Sequence, residues 1–524
     1  MARKGKRRIT LRIYEQGNRF FRKESGEIMP SAFGERKEST MKLIGFLSSI
    51  ILLFILAVLG PGGAAAQSTM LAEVGDHLVD IRKCIEFLEK TGNLVRVQSE
   101  VDPAYELAGI AKQYEGKKAI LFEKVKGSPY PVFMGLLWNR QIVGSLFNVP
   151  KEQVPFVIAG GIGSWRRDKG GFASRILEKG PANEVIKTQG FSLYDLPVPT
   201  HALKDGGPYF DSSVVVVNDP QTGLPNISVH RIMVTGKDRA TFLIDPDRHL
   251  GAYLDLMEKQ GKPLEVTINN GIGLAPWLVS AIPGQGPGKS GIANHIIGRP
   301  IDFIKAQTVN VQAFADAQFV IEAEILPNAR EDEGPFAEVT GYYAQKDKRW
   351  VMRVKAITHQ RNPIFHSLLS GEEVWNAVGL TAEAKIFVTV NKIVPDLKAV
   401  FLPPGGCGFY GAVIQLDKKS EGVQDLAIRE TFKAFPSLQW VTAVDTDVNI
   451  YDPIDVEWAI TTRFNAKKGF IILPDEVGHI LNPIVDRGKV TKFGIDATAP
   501  YPRTSTFERV KFKDVNLKNY TIKE

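Results

Sequence analysis

The sequence has few cysteines, only Cys84 and Cys407 among its 524 residues. Neither belongs to a C-x-x-C pair, so a zinc site built from thiolates is excluded. Cys407 lies in the Gly/Pro-rich stretch LPPGGCGFY, where a lone cysteine is more often a small packed residue than a nucleophile. A single disulfide between the two cysteines is the one covalent cross-link of this kind that the composition permits.

Excess positive charge is also missing from most of the chain. The formal net charge is +7, but residues 1–40 hold eleven Lys or Arg against five Glu and therefore carry +6 of it. The remainder is nearly neutral, so the pI of about 9.0 gives no support for nucleic-acid binding. The length and the 44% apolar content fit a globular protein of two or three domains.

One long uncharged run occurs near the N-terminus, in MKLIGFLSSIILLFILAVLGPGGAAAQS, which starts at Met41. A lysine, a 17-residue apolar run, a Gly-Pro break and three alanines before Gln67 are the layout of a secretory signal peptide. We therefore interpret residues 41–66 as signal-like, with an uncleaved membrane anchor as the alternative. Residues 1–40 fit no signal pattern and are either a basic arm or a stretch upstream of a true start at Met41.

Two glutamates flank a rigid corner in EDEGPFAEVTGYY, residues 331–343. Acids next to turns are commonly solvated. Here Gly334-Pro335 restricts the backbone, Phe336 favours burial, and the following V-T-G-Y-Y has the composition of a strand. A partly buried corner would hold Glu333 and Glu338 at fixed positions, and paired carboxylates in a dry site have pKa values that move apart. The pattern predicts a site for proton transfer.

An arginine in a predicted strand is the natural partner for these acids. Alternation over residues 227–234 places Arg231 on the same face as Ile227 and Val229, with His230 on the opposite face. The side chain of Arg231 would then point into the interior. A buried guanidinium needs an anion, and either acid of the corner could supply it.

The secondary structure predicted along the chain is mixed. Residues 76–118 have helical spacing, and short β-branched runs from about residue 210 to residue 370 indicate a barrel or a sandwich. The stretch INNGIGLAP lacks the third glycine and the acid of a dinucleotide-binding fingerprint, so it is a plain βα turn. A helix in EVWNAVGLTAEAKIFVTVNKIV opens a last α/β unit.

The residues described so far form a joint pattern. Asn226, Arg231 and His249, followed by E-G-P-F-x-E, are similar to the UbiD-type decarboxylases, which depend on prenylated FMN. The segments LPPGGC, VNIYDPIDVEWAITTRF and IDAT extend the resemblance from roughly Val74 to Phe512.

The resemblance implies a mixed α+β fold with a central split β-barrel that binds the flavin. It places an N-terminal α/β region at residues 74–195, the barrel domain at 196–370 and a C-terminal α/β oligomerisation domain at 371–512. It also implies a homo-oligomer, a dimer or a hexamer, and a flavin prenyltransferase that supplies the cofactor.

The implied activity is reversible, non-oxidative decarboxylation of an α,β-unsaturated or aromatic carboxylic acid, with CO2 as the second product. Glu333, Arg231 and Glu338 would be the catalytic residues. Arg231 would fix the substrate carboxylate, and Glu338 would protonate the carbon left behind. The cofactor would be bound by Asn226, Val229, His230, Arg231, Arg248, His249, Lys289 and Lys418, with Lys419 as an alternative to Lys418.

One departure from the family concerns the divalent metal, Mn or Mg, which the resemblance implies together with K+. In the family Asn226 and His249 would bind the metal with a glutamate placed shortly before a segment that appears here as ANHIIGRP. Counting back from that segment leads to Lys289, and no Asp or Glu occurs between Val266 and Ile301. The third ligand is missing or comes from elsewhere. Lys289 either replaces part of the cation's role or is a solvated residue of the loop GQGPGKSG.

Two other classes of function stay open on sequence grounds. The first is a catalytically silent binding or scaffold subunit of the same fold, which the missing metal ligand favours. The second is an ordinary flavin oxidoreductase, which two acids around one arginine do not favour because that arrangement suits protonation. The substrate pocket is expected around ILPDEVGHILNP, residues 472–483.

We predict that Met41 begins a functional export signal or anchor, although members of the resembled family are usually cytoplasmic. Cell fractionation of a protein with a C-terminal epitope tag measures this directly. A membrane-bound product, or a shortened product outside the cytoplasm, is expected. A full-length product found only in the cytosol would contradict the prediction.

Overall fold

Three large β-sheets organise the residues that this computed structural model describes, which are 75–168, 172–284, 286 and 288–522. The predicted arm at 1–40 and the signal-like segment at 41–66 lie outside these residues. Among the described residues, no helix has the length and apolarity needed to cross a membrane. The described residues belong to one compact unit.

The N-terminal region alternates helices and strands. The helix predicted over 76–118 is wrong in its middle, because Gly92 adopts a positive φ of 70° and the chain then turns into a strand, Leu94–Val101. That strand pairs in parallel with the next one. The elements are α1 (Ile81–Lys90), β1 (Leu94–Val101), α2 (Glu106–Tyr114), β2 (Ala119–Val125), β3 (Val132–Met134), α3 (Arg140–Leu146) and α4 (Val154–Arg167).

The central region contains the predicted barrel. Its elements are β4 (Arg175–Leu177), β5 (Val185–Lys187), β6 (Tyr209–Asn218), β7 (Pro225–Val234), β8 (Arg239–Phe242), α5 (His249–Lys259), β9 (Leu264–Asn270), α6 (Leu274–Ser280), α7 (Lys289–Ile297), β10 (Asp302–Lys305), β11 (Gln312–Phe314), β12 (Phe319–Glu333), β13 (Phe336–Ala337), β14 (Tyr343–Ala344), β15 (Asp347–His359) and β16 (Phe365–His366). The strands pair in the order β12-β9-β6-β7-β8-β15, and β12 also pairs with β15. These six strands therefore close into a barrel, which confirms the predicted fold class.

Side-chain alternation divides the apolar residues of the barrel between two cores. Val215, Ile232 and Phe242 belong to the core inside the barrel. Val214 and Ile227 belong to a second core on the outer face, which also includes residues of helices α3, α4, α6 and α7. Burial on both faces explains why β6 is an almost continuous apolar run.

The C-terminal region is an α/β unit, as predicted. Its five-stranded sheet has the order β17-β18-β19-β21-β20. The elements are α8 (Glu372–Val390), β17 (Leu397–Phe401), β18 (Gly411–Leu416), α9 (Val423–Ala434), β19 (Trp440–Asp445), α10 (Pro453–Arg463), α11 (Ala466–Gly469), β20 (Phe470–Val477) and β21 (Lys489–Ala497). Short 3-10 turns occur in all three regions, at 151–153, 181–183, 193–195, 404–406, 505–507 and 517–519.

A buried ion pair joins the N-terminal region to helix α8. Arg140 donates two hydrogen bonds to the Glu383 carboxylate, at 3.0 and 2.8 Å. Glu383 is fully buried and also accepts the backbone N–H of Leu402 at 2.7 Å. Burial raises the pKa of Glu383 in spite of these partners. The pair links three separate segments of the chain around one carboxylate.

We predict that Glu383→Ala lowers the free energy of unfolding by about 3–5 kcal/mol, because it leaves the Arg140 guanidinium without its partner in a desolvated position. Urea titration followed by circular dichroism measures the change. The matched control is Asp255→Ala, which removes the exposed pair with Lys259 and should cost only about 0–1 kcal/mol. Equal effects of the two substitutions would contradict the role given to the buried pair.

Candidate active site

A cavity of about 370 Å³ lies beside strand β7. Helices α5, α6 and α8 and the start of α7 line it, and residues of the C-terminal region form part of its wall. A volume in this range is typical of sites for small ligands and cofactors. The lining residues with polar or charged groups are Asp211, Asn226, Ser228, His230, Arg231, Asp245, Arg248, His249, Ser280, Lys289, Glu338, Ser370, Ser437 and His479.

Strand β7 presents Arg231 to this cavity from the outer face of the barrel. Ile232 is part of the core inside the barrel, whereas Ile227 and Val229 belong to the outer core. Arg231 has the same parity as Ile227 and Val229, as the sequence predicts. The interior into which it points is the cavity between the barrel and its covering helices, rather than the inside of the barrel.

Arg231 is bound by both acids of the corner. Its Nε and Nη2 donate to the two oxygens of Glu333 at 3.0 and 2.9 Å, and its Nη1 donates to Glu338. The phenol of Tyr209 donates to Glu333 at 2.9 Å. Burial and the neighbouring Glu333 raise the pKa of that phenol, so the hydroxyl stays protonated as a donor. Glu333 is fully buried and holds the guanidinium in one orientation.

Glu338 differs from Glu333 in its access to the cavity. Glu338 lines the cavity, whereas Glu333 does not. The prediction that V-T-G-Y-Y is a strand is wrong for residues 339–342, which form a tight turn in which the Gly341 N–H donates to the Glu338 carbonyl at 3.0 Å, whereas Tyr343 begins strand β14. The turn joins the two-residue strands β13 and β14. The guanidinium carbon of Arg231 lies 4.8 Å from the centre of the Phe336 ring, so the corner supports the arginine with an aromatic face as well as with carboxylates.

A second cationic group lies at the start of helices α5 and α7. Lys289 is only 6% exposed, and its Nζ donates to the Ser280 carbonyl at 2.8 Å. Burial, with a smaller effect of the nearby Arg248, lowers the pKa of Lys289 from 10.5 to about 7. Arg248 uses Nε to bind Asp245 at 3.2 Å. The expectation that Lys289 contributes to the site is supported by its position, and the alternative of a solvated loop residue is wrong.

Asn226 and His249 also line the cavity, but they do not complete a metal site. The Asn226 Oδ1 atom is buried and makes no hydrogen bond within the described part of the chain. The described part of the chain contains no cluster of three His, Cys, Asp or Glu side chains that could hold a metal ion. The polar groups around the cavity therefore fit a flavin phosphate, whereas the donor set does not fit the divalent metal. A potassium site stays a prediction.

Two histidines of the cavity are neutral at physiological pH. The Nδ1–H of His230 donates to the Leu243 carbonyl at 3.2 Å, and its Nε2 accepts from the Ser228 hydroxyl at 2.9 Å. His479 lies in the predicted pocket segment, and its ring is 5.5 Å from that of Phe409. Burial lowers the pKa of each histidine to about 4. These rings therefore add hydrogen-bonding groups to the cavity without adding charge.

Lys418 and Lys419 are not among the residues that line the cavity. Lys418 Nζ binds Thr498 Oγ1 at 3.1 Å and lies 3.5 Å from Glu421. Lys419 is exposed and pairs with Asp417 at 2.8 Å. The phosphate-binding role of Lys418 therefore stays a prediction without a structural contact to support it.

Several residues that line the cavity carry no recognisable signal in the sequence. Val374 and Val378 of helix α8, together with Phe409 and Phe435, give one side of it an apolar surface. Asp211 also lines it and accepts hydrogen bonds from Ser367 Oγ at 2.8 Å and from the Leu368 N–H at 2.9 Å. Only the segment 472–483 carried a usable sequence signal, and it contributes His479, Ile480 and Leu481.

Three domains of one protein family match most of the described chain. Residues 85–159, 175–373 and 376–497 match the N-terminal, Rift-related and C-terminal domains of the family described as 3-octaprenyl-4-hydroxybenzoate carboxy-lyase. The chain belongs to the UbiD family. The lining residues from Asp211 to Ser370 lie in the segment matched by the Rift-related domain, and those from Ala377 to Leu481 lie in the segment matched by the C-terminal domain.

Individual UbiD proteins agree with this assignment. The anhydromevalonate phosphate decarboxylase of Methanosarcina mazei is 34% identical over 82% of this chain and 98% of its own length. The gallate decarboxylase of Lactiplantibacillus plantarum is 29% identical over 83% of this chain and 97% of its own. The structure of the UbiD-class enzyme HmfF from Pelotomaculum thermopropionicum in complex with FMN superposes with a TM-score of 0.80, at 36% identity over 84% of this chain and 100% of HmfF.

We predict that stability falls as the pH decreases from about 6.5 toward 4, with a measurable share due to His479. Its pKa is 6.5 when solvated and about 4 when folded, so in this interval the unfolded chain binds more protons than the folded chain and acid favours unfolding. The measurement is the melting temperature as a function of pH for the wild type and for His479→Asn. The variant should lose less stability over this interval. Parallel curves for the two proteins would show that His479 is not buried in the neutral form.

Proposed function

We propose that this protein catalyses the reversible, non-oxidative decarboxylation of an α,β-unsaturated or aromatic carboxylic acid with prenylated FMN. The observation that carries the proposal is the arginine held between two buried acids at the edge of a flavin-sized cavity. Membership of the UbiD family supports it, because the relatives with named activities are decarboxylases. The complex of HmfF with FMN supports a flavin in the cavity.

The three charged side chains have distinct roles in this proposal. Arg231 provides the positive charge that attracts a carboxylate, and Glu333 fixes its orientation through two hydrogen bonds. When both acids are ionised, the three side chains carry a net charge of −1, so one proton makes the set neutral. Glu338 faces the cavity and is therefore the member that gives this proton to the substrate carbon after CO2 leaves.

The cofactor would occupy the same cavity. Prenylated FMN, when bound, supplies the electron sink that lets the carbon–carboxylate bond break. Arg248 and Lys289 would hold the phosphate, and Asn226, His230 and His249 provide polar contacts along the cavity. Val229 offers an apolar contact from strand β7. A flavin prenyltransferase would supply the modified cofactor.

The apolar wall supports an unsaturated or aromatic substrate. Val378, Phe409 and Phe435 provide it, and His479 and Ser437 are its uncharged polar groups. A planar hydrocarbon or ring packs well against such a wall, while the carboxylate is directed toward Arg231. Gallate decarboxylase is a relative whose named substrate is an aromatic acid.

Self-association through the C-terminal region is part of the same proposal. Several large apolar side chains of residues 371–512 are exposed on this chain, among them Ile454, Ile472 and Val477. Contiguous apolar patches commonly mark surfaces that pair with another subunit, and Ile472 and Val477 lie on one strand, β20. A homo-oligomer, a dimer or a hexamer, is expected by light scattering, and a monomer at micromolar concentration would contradict it.

A catalytically silent binding subunit is the second candidate, favoured by the incomplete metal site. Co-expression with a flavin prenyltransferase separates the two functions. The absorbance spectrum and the mass of the bound cofactor report whether the chain retains prenylated FMN. A protein that folds and assembles but retains no flavin would favour the silent subunit.

We predict that Glu338→Gln decreases the turnover number by about 10²–10⁴-fold, because a positioned proton donor contributes about this factor. Cofactor retention should be unchanged, since the amide preserves size and hydrogen bonding to Arg231. The assay is decarboxylation, or exchange of solvent deuterium into the decarboxylated product. Glu331→Gln is the matched control, because Glu331 is a partly exposed acid of strand β12 that does not line the cavity, and it should retain full turnover. Near-normal turnover in Glu338→Gln would refute the assigned role.

A further inference from the structure

The phosphate end of the cavity combines a buried lysine with an incomplete set of metal ligands. Lys289 is the first residue of helix α7 and directs its Nζ to the same wall as Arg248 and Ser280. A Cβ placed on Gly286 would lie 2.9 Å from His249 Nε2, so His249 packs against Gly286, three residues before this lysine. One of the two predicted metal ligands and Lys289 therefore share one end of the cavity.

No carboxylate of the cavity wall, among the residues that the structure describes, is free to replace the missing ligand. Asp245 accepts from Arg248 and from the Asp247 N–H. Asp211 is bound by Ser367 and Leu368, and Glu338 is bound by Arg231. A divalent ion would have to take one of these acids from its present partners, because magnesium and manganese require hard oxygen ligands.

The charges of the two arrangements are equal. A glutamate and a divalent cation together contribute one net positive charge, and a protonated lysine contributes the same. A flavin phosphate carries between one and two negative charges at neutral pH. Arg248 carries one positive charge, which Asp245 partly offsets, and a bound phosphate favours the protonated form of Lys289, which adds another. An ammonium that donates to a phosphate oxygen forms a charge-assisted hydrogen bond, which is stronger than a hydrogen bond between neutral groups.

The neutral ligands fit hydrogen bonding as well as they fit a metal. The Asn226 Oδ1 atom, buried and without a partner among the described residues, is an acceptor for an N–H or an O–H group. The Lys289 ammonium has three donors, and its bond to the Ser280 carbonyl uses one. The other two are available to oxygen atoms of a bound ligand.

We propose that this chain binds the phosphate of its flavin cofactor without a divalent metal, and that Lys289 supplies the charge that a glutamate–metal pair would otherwise supply. The inference rests on the proposed flavin binding. It is specific to the residues of this chain, because it follows from a lysine in a position where the metal site requires an acid.

Unprenylated FMN and riboflavin are the probes that isolate the phosphate. Affinities are measured by flavin fluorescence with the full-length apoprotein, in EDTA and in MnCl2. The wild type should bind FMN equally well in both buffers. Lys289→Met, which keeps the apolar stem and removes the charge, should weaken FMN binding by about 10- to 100-fold and leave riboflavin binding unchanged. The surface variant Lys259→Met is the matched control and should match the wild type.

The reverse substitution tests the charge argument. Lys289→Glu should bind FMN poorly in EDTA and recover affinity in MnCl2, because the acid restores the family's set of three ligands. Circular dichroism shows whether each variant is folded. If Lys289→Glu does not fold, the FMN and riboflavin affinities of Lys289→Met still test the role of the lysine charge.

Three outcomes would overturn the inference. They are stoichiometric manganese or magnesium in the purified wild type with FMN affinity lost in EDTA, unchanged FMN affinity in Lys289→Met, and an equal loss of riboflavin affinity in that variant. Wild-type protein that binds neither flavin in either buffer would overturn the proposed cofactor as well, so the two failures are distinguishable.

Discussion

The buried guanidinium of Arg231 is the constraint on which the rest of the site depends. An arginine removed from water without a partner is strongly destabilising, by several kcal/mol, so the chain must bring acids to it. Glu333 arrives at the end of strand β12, and Glu338 follows after a corner that packs Phe336 against the guanidinium. The register of the barrel and the conformation of the corner are both required to satisfy this one cation.

The site separates two groups of charge by function. Around Arg231 the charges are paired and the side chains are fixed by several hydrogen bonds, as proton transfer at a defined atom requires. Around Lys289 and Arg248 the positive charge exceeds the negative charge, as binding of an anion requires. The wall of the same cavity also contains apolar side chains and two neutral histidines, which add no charge to either group.

The sequence predicted those elements whose apolar residues follow a regular strand or helix spacing. Strand β7, the βα turn before helix α6 and the long helix α8 follow directly from apolar spacing and turn residues. The pairing of Glu333 with Arg231 was also accessible, because a buried arginine and a rigid acidic corner each need a partner. Residues 94–101 were missed, since a strand flanked by two helices shares their apolar content and only its pairing with β2 distinguishes it. The apolar wall was not predictable either, because Phe409 and Phe435 reach the cavity only through the packing of the C-terminal region.

Strand β16 has a consequence for how the chain reaches this structure. The N-terminal sheet has the order β1-β2-β3-β16, and its last strand, Phe365–His366, follows the whole barrel in the chain. A ribosome must therefore finish the barrel before the first sheet can be completed, and the N-terminal region cannot mature as an independent unit during synthesis, the usual order for proteins of several domains. A truncation before residue 365 would leave the edge of β3 exposed, and unpaired edges promote aggregation. Cutting this protein into its family domains would thus remove a strand from one of them.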